Sequence, residues 1–109
     1  MTPSVAPLEK LLAAGKDSAL LRFGLGSAYL NTGDATRAAE HLRHAVRMNP
    51  GYSAAWKLLG RALSASRQDT DALAAYRDGI AAAERSGDKQ AMKEMQVYAR
   101  RVAKALGQE

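Results

Sequence analysis

Apolar residues along this chain recur at a spacing near 3.6 and not at 2, which reads as helix throughout. Leu21, Leu25, Ala28 and Tyr29 share one face, and so do Ala35, Ala38, Ala39, Leu42, Ala45 and Val46. The same holds for Ala55, Trp56, Leu59 and Leu63, and for Ala72, Leu73, Tyr76, Ile80 and Ala83. Met92, Met95, Val102 and Leu106 form a last stripe. The spacing predicts six helical segments, at about 7–14, 18–32, 35–48, 54–66, 70–86 and 88–106. β-branched residues are scarce and no stretch alternates over six residues, so the fold class is all-α.

The punctuation between segments agrees. Turn signals fall at 15–17, 31–34, 49–51, 66–69 and 86–88. Asp17 or Ser18, Asp34, Ser53, Asp69 and Asp88 are placed to accept from the first free N–H groups of the following helix. Gly15, Gly33 and Gly87 suit the left-handed backbone just past a helix end. Pro50 cannot continue a helix and pushes Asn49 out of the helical region. Connections this short make successive helices antiparallel neighbours.

The chain also repeats itself at an offset of 34 residues. Leu25-Gly26-x-x-Tyr29 aligns with Leu59-Gly60-x-x-Leu63, Ala38 with Ala72, Leu42 with Tyr76, and Ala45 with Gly79. Glycine inside a helix costs about 1 kcal/mol against alanine. Its recurrence at one repeat position implies close approach of a partner helix, with Ala38 and Ala72 expected to face it. Trp56, Tyr29, Leu42 and Tyr76 would then fill the wedge between hairpins.

Trp56-x-x-Leu59-Gly60-x-x-Leu63 followed by Ala72, Tyr76 and Gly79 resembles the tetratricopeptide repeat. So does Leu25-Gly26-x-x-Tyr29 followed by Ala38, Leu42, Ala45 and Pro50. The resemblance implies one domain over 1–109 of stacked antiparallel hairpins in a right-handed superhelix. Its parts would be a capping helix at 7–14, repeats at 19–52 and 53–86, and a terminal solvating helix at 88–106. Leu8, Leu11 and Leu12 would cap one end, while Lys89, Lys93, Arg100 and Lys104 would face water at the other. Two slots depart from the pattern: Arg22 stands where the first copy should carry Trp, and Glu84 where the second should carry Pro.

The resemblance further implies a non-enzymatic protein-interaction module, an adaptor or assembly factor, that holds a partner in a concave groove. The groove slots fall on Leu20, Phe23, Ser27, Leu30 and Asn31, then Ala54, Lys57, Arg61, Ser64 and Ala65, then Ala91, Met95 and Tyr98. Lys57 and Arg61 lie four apart and so share a helical face. Apolar anchors beside these cations suit a peptide with an acidic group or free carboxylate. In the bland alternative, Phe23 is core and the cations are merely solvated. Chaperone-tail binders of the family clamp two carboxylates with Lys, Asn and Arg. The matching slots here hold Phe23, Ser27, Leu58, Asp88 and Met92, which argues against that partner.

Charge adds a rival. The chain has 109 residues, net charge +5 and pI ≈ 9.8, which raises nucleic acid as a partner. The excess gathers in residues 36–69, with six basic groups against two acidic ones. Arg37, Arg43 and Arg47 with the terminal-helix cations would carry such a role. No aromatic residues interleave with them for base stacking, which disfavours it. Self-association through the end helices is a third reading.

Chemistry is sparse. There is no Cys, which removes disulfides, thiolate metal sites and Cys nucleophiles. The two histidines, His41 and His44, with adjacent Glu40 fall short of a zinc site and read as exposed polar residues. Phe23-Gly24-Leu25-Gly26 follows no strand and lacks the third glycine of a phosphate loop. No Ser has an activating His at a recognisable spacing. The expectation is no enzyme, no cofactor and no metal. The N-terminal residues lack the basic and apolar regions of a signal peptide, and no run reaches membrane-spanning length. The default location is the cytoplasm.

Overall fold

The computed structural model describes residues 5–108. Among them are six α-helices: α1 (Ala6–Ala13), α2 (Ala19–Asn31), α3 (Ala35–Met48), α4 (Ser53–Ala65), α5 (Asp69–Ser86) and α6 (Lys89–Ala105). Each boundary falls within one residue of its expectation. Helix ends follow from local chemistry. The side chains of Ser18, Asp34 and Asp88 accept from the backbone N–H of Leu21, Arg37 and Ala91. Gly15, Gly33 and Gly87 take positive φ, at 80°, 86° and 76°.

Two expected caps are different. Ser53 and Asp69 are the first residues of α4 and α5, and Tyr52 and Gln68 hold the cap positions without a side-chain bond. The Ser53 hydroxyl donates instead to Asp88 Oδ2 at 3.0 Å. Asp88 therefore caps α6 through one oxygen and ties it to the start of α4 through the other. The α4–α5 turn has no glycine, so Arg67 itself adopts φ 61°.

Successive helices pack as antiparallel pairs, α2 with α3 and α4 with α5, and α6 closes the far side of α5. The stack measures 45 × 28 × 23 Å. The core is small-residue rich: Ala38, Ala45, Ala55, Ala62, Ala72 and Ala83 are all fully buried, around Leu25, Leu42, Leu63 and Met95. Glycines set how closely the helices approach. A Cβ on Gly26 would overlap the Leu42 side chain, and one on Gly60 would overlap the Tyr76 ring. The nearest atoms to both glycines thus belong to the bulky residue one turn beyond Ala38 or Ala72, not to the alanine. Gly79 repeats the device, receiving Met95 Sδ and Trp56 Cβ.

The layering is asymmetric. Helix α2 lies close to α4, and α4 close to α6, whereas the α3 and α5 backbones stand further apart and are bridged by the ion pair of Arg43 and Asp71 at 3.8 Å. Closer spacing on one side bends the stack, so its concave side lies on α2, α4 and α6. Helix α1 packs mainly on α2, through half-buried Leu8 and Leu12, and reaches α3 through Glu9, 3.5 Å from His41. Leu11, expected in that contact, is 46% exposed. No helix among the described residues is long and apolar enough to cross a membrane.

Candidate functional site

The expected groove residues do not share one environment. Leu20 is 72% exposed, the most open large apolar side chain among the described residues. Phe23, Ser27 and Leu30 on α2 are half-buried and Asn31 is exposed. The Phe23 ring packs on Tyr52, centroids 5.1 Å apart, so it also stitches α2 to the start of α4. On α4, Ala54, Lys57 and Ser64 are half-buried, and Arg61 and Ala65 are exposed.

Two residues of α6 leave the set. Met95 has no exposure and its sulfur fills the notch over Gly79, and Ala91 is likewise buried. Met95 packs into the α5–α6 contact and Ala91 is covered, so neither borders an open surface. Tyr98 remains half-exposed, against Tyr76 at 5.6 Å and beneath Arg101 at 6.0 Å.

The two expected cations also separate in character. Lys57 Nζ lies 3.2 Å from Glu94 Oε1 on α6. Its charge is therefore met within the fold. Arg61 has no ion-pair partner among the described residues and stays exposed. The free cation on this face is Arg61, next to the aromatic pair Tyr76 and Tyr98. Burial pushes the Tyr76 hydroxyl up to about 12, with Arg61 opposing the shift. Tyr76 stays a neutral phenol.

A second polar group, missed in the sequence, lies where α1, α2 and α3 meet. Arg22 occupies the slot equivalent to Trp56. Its guanidinium donates to both Asp17 oxygens, at 2.8 and 2.9 Å, and to His41 Nδ1 at 3.1 Å. Since arginine can only donate, His41 Nδ1 accepts and its proton sits on Nε2. That Nε2 lies 3.5 Å from Glu9 Oε1, which also accepts from the Tyr29 hydroxyl at 2.9 Å. The His41 ring stacks on Tyr29, 5.5 Å apart and 3° from parallel.

His41 is thus a half-buried structural residue and not the exposed one expected, while His44 is exposed. Burial lowers the His41 pKa, and Arg22 adds to this against the pull of Glu9. Hydrogen bonds from Arg22 hold Asp17 below the usual carboxylate range. The sequence showed the departure at position 22 but not its partners, which come from other segments of the chain.

On the convex side a cleft of about 290 Å³ opens between α3 and α5. Trp56, Leu59, Leu63 and Val46 form its floor, and Arg43, Arg47, Asp71 and Asp78 its rim. Trp56 is therefore only half-buried, its Nε1 donating to the Pro50 carbonyl at 2.8 Å.

A stack of helical hairpins held by glycine-to-bulky contacts, with a curved free face, defines a helical-repeat scaffold. The sequence profile of the tetratricopeptide repeat family matches residues 5–53 and again 23–88. This chain belongs to the tetratricopeptide repeat family. It is 55% identical over 98 residues to the TPR repeat-containing protein PA0015 of Pseudomonas aeruginosa, covering 90% of this chain and 93% of the relative. The solution structure of protein BPP2914 from Bordetella parapertussis superposes with a TM-score of 0.80 at 42% identity. That match covers 96% of this chain and 91% of the other. The crystal structure of a tetratricopeptide repeat domain protein from Salinibacter ruber shares the fold, with TM-score 0.72 at 23% identity over 79% of this chain and 96% of that one.

Proposed function

We propose that this chain is a non-enzymatic protein-interaction module that holds a partner peptide along the concave face of α2, α4 and α6. Membership of the repeat family supports protein partners in general. The repeats are read at 19–52 and 53–86, with end helices on either side. What supports the face is Leu20, 72% exposed at its rim, together with an exposed Arg61 that no carboxylate among the described residues engages. Phe23, Ser27, Leu30 and Asn31 continue the α2 side of the face, and Ser64 and Tyr98 continue it toward α6.

The fitting partner carries apolar anchors for Leu20 and Phe23 and a carboxylate for Arg61. Lys57 is a weaker candidate for that carboxylate than the sequence implied, because Glu94 already occupies it. A random peptide library selected on the wild-type protein, with winners re-measured on Leu20→Asp and Arg61→Glu, tests the reading. Winners should carry an acidic residue and lose at least ~10-fold in affinity on either variant, which corresponds to about 1.4 kcal/mol. Winners that bind both variants as well as wild type place the site elsewhere.

A further inference from the structure

Helix α6 carries a charge imbalance that no other helix of the described residues shows. It holds Lys89, Lys93, Arg100, Arg101 and Lys104 against the single carboxylate Glu94, which is engaged by Lys57. Helix α5, its neighbour in sequence, carries Asp69, Asp71, Asp78 and Glu84 against Arg77 and Arg85. Summed along the chain, the acidic excess of α5 masks half of the basic excess of α6. In the fold they present different surfaces.

Lys89, Lys93, Arg100 and Lys104 are all exposed, and at 100° per residue they fall on one narrow ridge. The ridge spans about 22 Å at 1.5 Å per residue. Like charges four apart on a helix destabilise it. Among the described residues no ion pair engages any of these four cations. Toward the end of α6, Arg100, Arg101 and Lys104 converge with Val97 on a shallow depression of about 290 Å³.

We infer that this ridge is a second binding surface, separate from the concave face, and that it takes the phosphate backbone of a duplex nucleic acid without reading sequence. Three features favour phosphates over an acidic protein. Lysine is depleted in the cores of protein–protein interfaces, which need aromatic and apolar anchors. The ridge offers only Val97, 41% exposed, in that role. Protein–DNA interfaces are, by contrast, strongly positive and polar. Lys89 and Lys93, and again Arg100 and Lys104, stand about 6 Å apart along the axis, about two axial phosphate intervals of one strand. The convergence of three cations on one depression supplies a seat for a single phosphate. Tyr98 lies on the opposite flank, so bases would not be stacked or read.

The test uses the whole chain and a fluorescently labelled 20-base-pair DNA duplex of arbitrary sequence, with anisotropy followed between 50 and 200 mM salt. Four phosphate contacts predict a log–log salt slope of about −3 to −4, or roughly a 100-fold loss of affinity over that range. A second duplex of unrelated sequence should bind equally. Lys93→Gln with Lys104→Gln should reduce the slope by about 2 and weaken binding at least 10-fold at low salt. Arg43→Gln with Arg47→Gln, which removes the same charge from the convex rim, should change binding less than 2-fold. Circular dichroism confirms that both variants remain helical. Three results overturn the inference: no anisotropy change at 50 mM salt, equal damage from the Arg43/Arg47 variant, or displacement of the duplex by poly-glutamate at equal charge concentration. The last would assign the ridge to acidic polypeptides.

Discussion

The Tyr76 ring occupies the space that a side chain at position 60 would need, and Leu42 stands in the same relation to position 26. An alanine at position 60 gains about 1 kcal/mol of helix propensity. It must also displace a fully packed ring, and overpacking a core costs about 1–3 kcal/mol. Gly60→Ala should therefore lower stability by up to about 2 kcal/mol in urea unfolding. In a Tyr76→Ala background the same change should be neutral or stabilising. A Gly60→Ala protein at least as stable as wild type would show that the helices are not held at this distance.

Trp56 is anchored by its Cβ against Gly79 and by its Nε1 bond to Pro50, but one side of the indole faces the α3–α5 cleft. Full burial would give a loss of about 3–5 kcal/mol for Trp56→Ala. Half-burial reduces the expectation to about 1.5–2.5 kcal/mol. Because Trp56 is the chain's one tryptophan, its fluorescence checks the environment directly. Emission should lie between that of a buried and a fully exposed indole and should respond to acrylamide.

His41 is depressed below its ordinary value of 6.5 by burial and by the facing Arg22. The unfolded chain therefore binds this proton more readily than the folded one. Stability is fully present above pH 6.5 and declines as pH falls from 6.5 toward the folded value. His41→Gln should flatten stability across that window, measured as urea midpoints from pH 7.5 to 5. An unchanged slope in the variant would mean that another group carries it. Asp17, whose pKa is lowered from 3.8, contributes only at more acid pH and should leave this window untouched.

At the alkaline end the sign reverses in origin but not in outcome. Tyr76 is raised to about 12 by burial, so the unfolded chain loses its phenolic proton first. Stability is intact below about pH 10 and declines as pH rises from 10 toward 12. Tyr76→Phe should remove the largest share of that decline. Tyr29 and Tyr52 are raised as well, Tyr29 chiefly by its hydrogen bond to Glu9 and Tyr52 by burial, and add to the decline.

The helices were legible because most boundaries carry their own signal. Glycines at 15, 33 and 87, the caps Ser18, Asp34 and Asp88, and the 34-residue register all act locally. What escaped the sequence depends on where side chains meet. Ser53 looked like a cap but bonds Asp88, from the other end of the α4–α5 hairpin. Lys57 looked free, and only the packing of α6 brings Glu94 to it. Met95 fell in a groove slot by register, yet the absence of a side chain at Gly79 draws its sulfur inward. Arg22 was a vacancy in the pattern and proved to be a hub, because Glu9, Asp17 and His41 converge from three other segments. Summing charge by windows likewise hid the contrast between α5 and α6.

The most direct test of the account is residue-resolved chemical-shift mapping of the full chain against a peptide selected as above. Perturbations should concentrate at Leu20, Phe23, Leu30, Asn31, Arg61 and Tyr98 and leave Arg43, Arg47 and Asp78 on the convex rim still. Perturbations centred on Trp56, Arg47 and Asp78 instead would contradict the concave assignment and move the partner to the α3–α5 cleft.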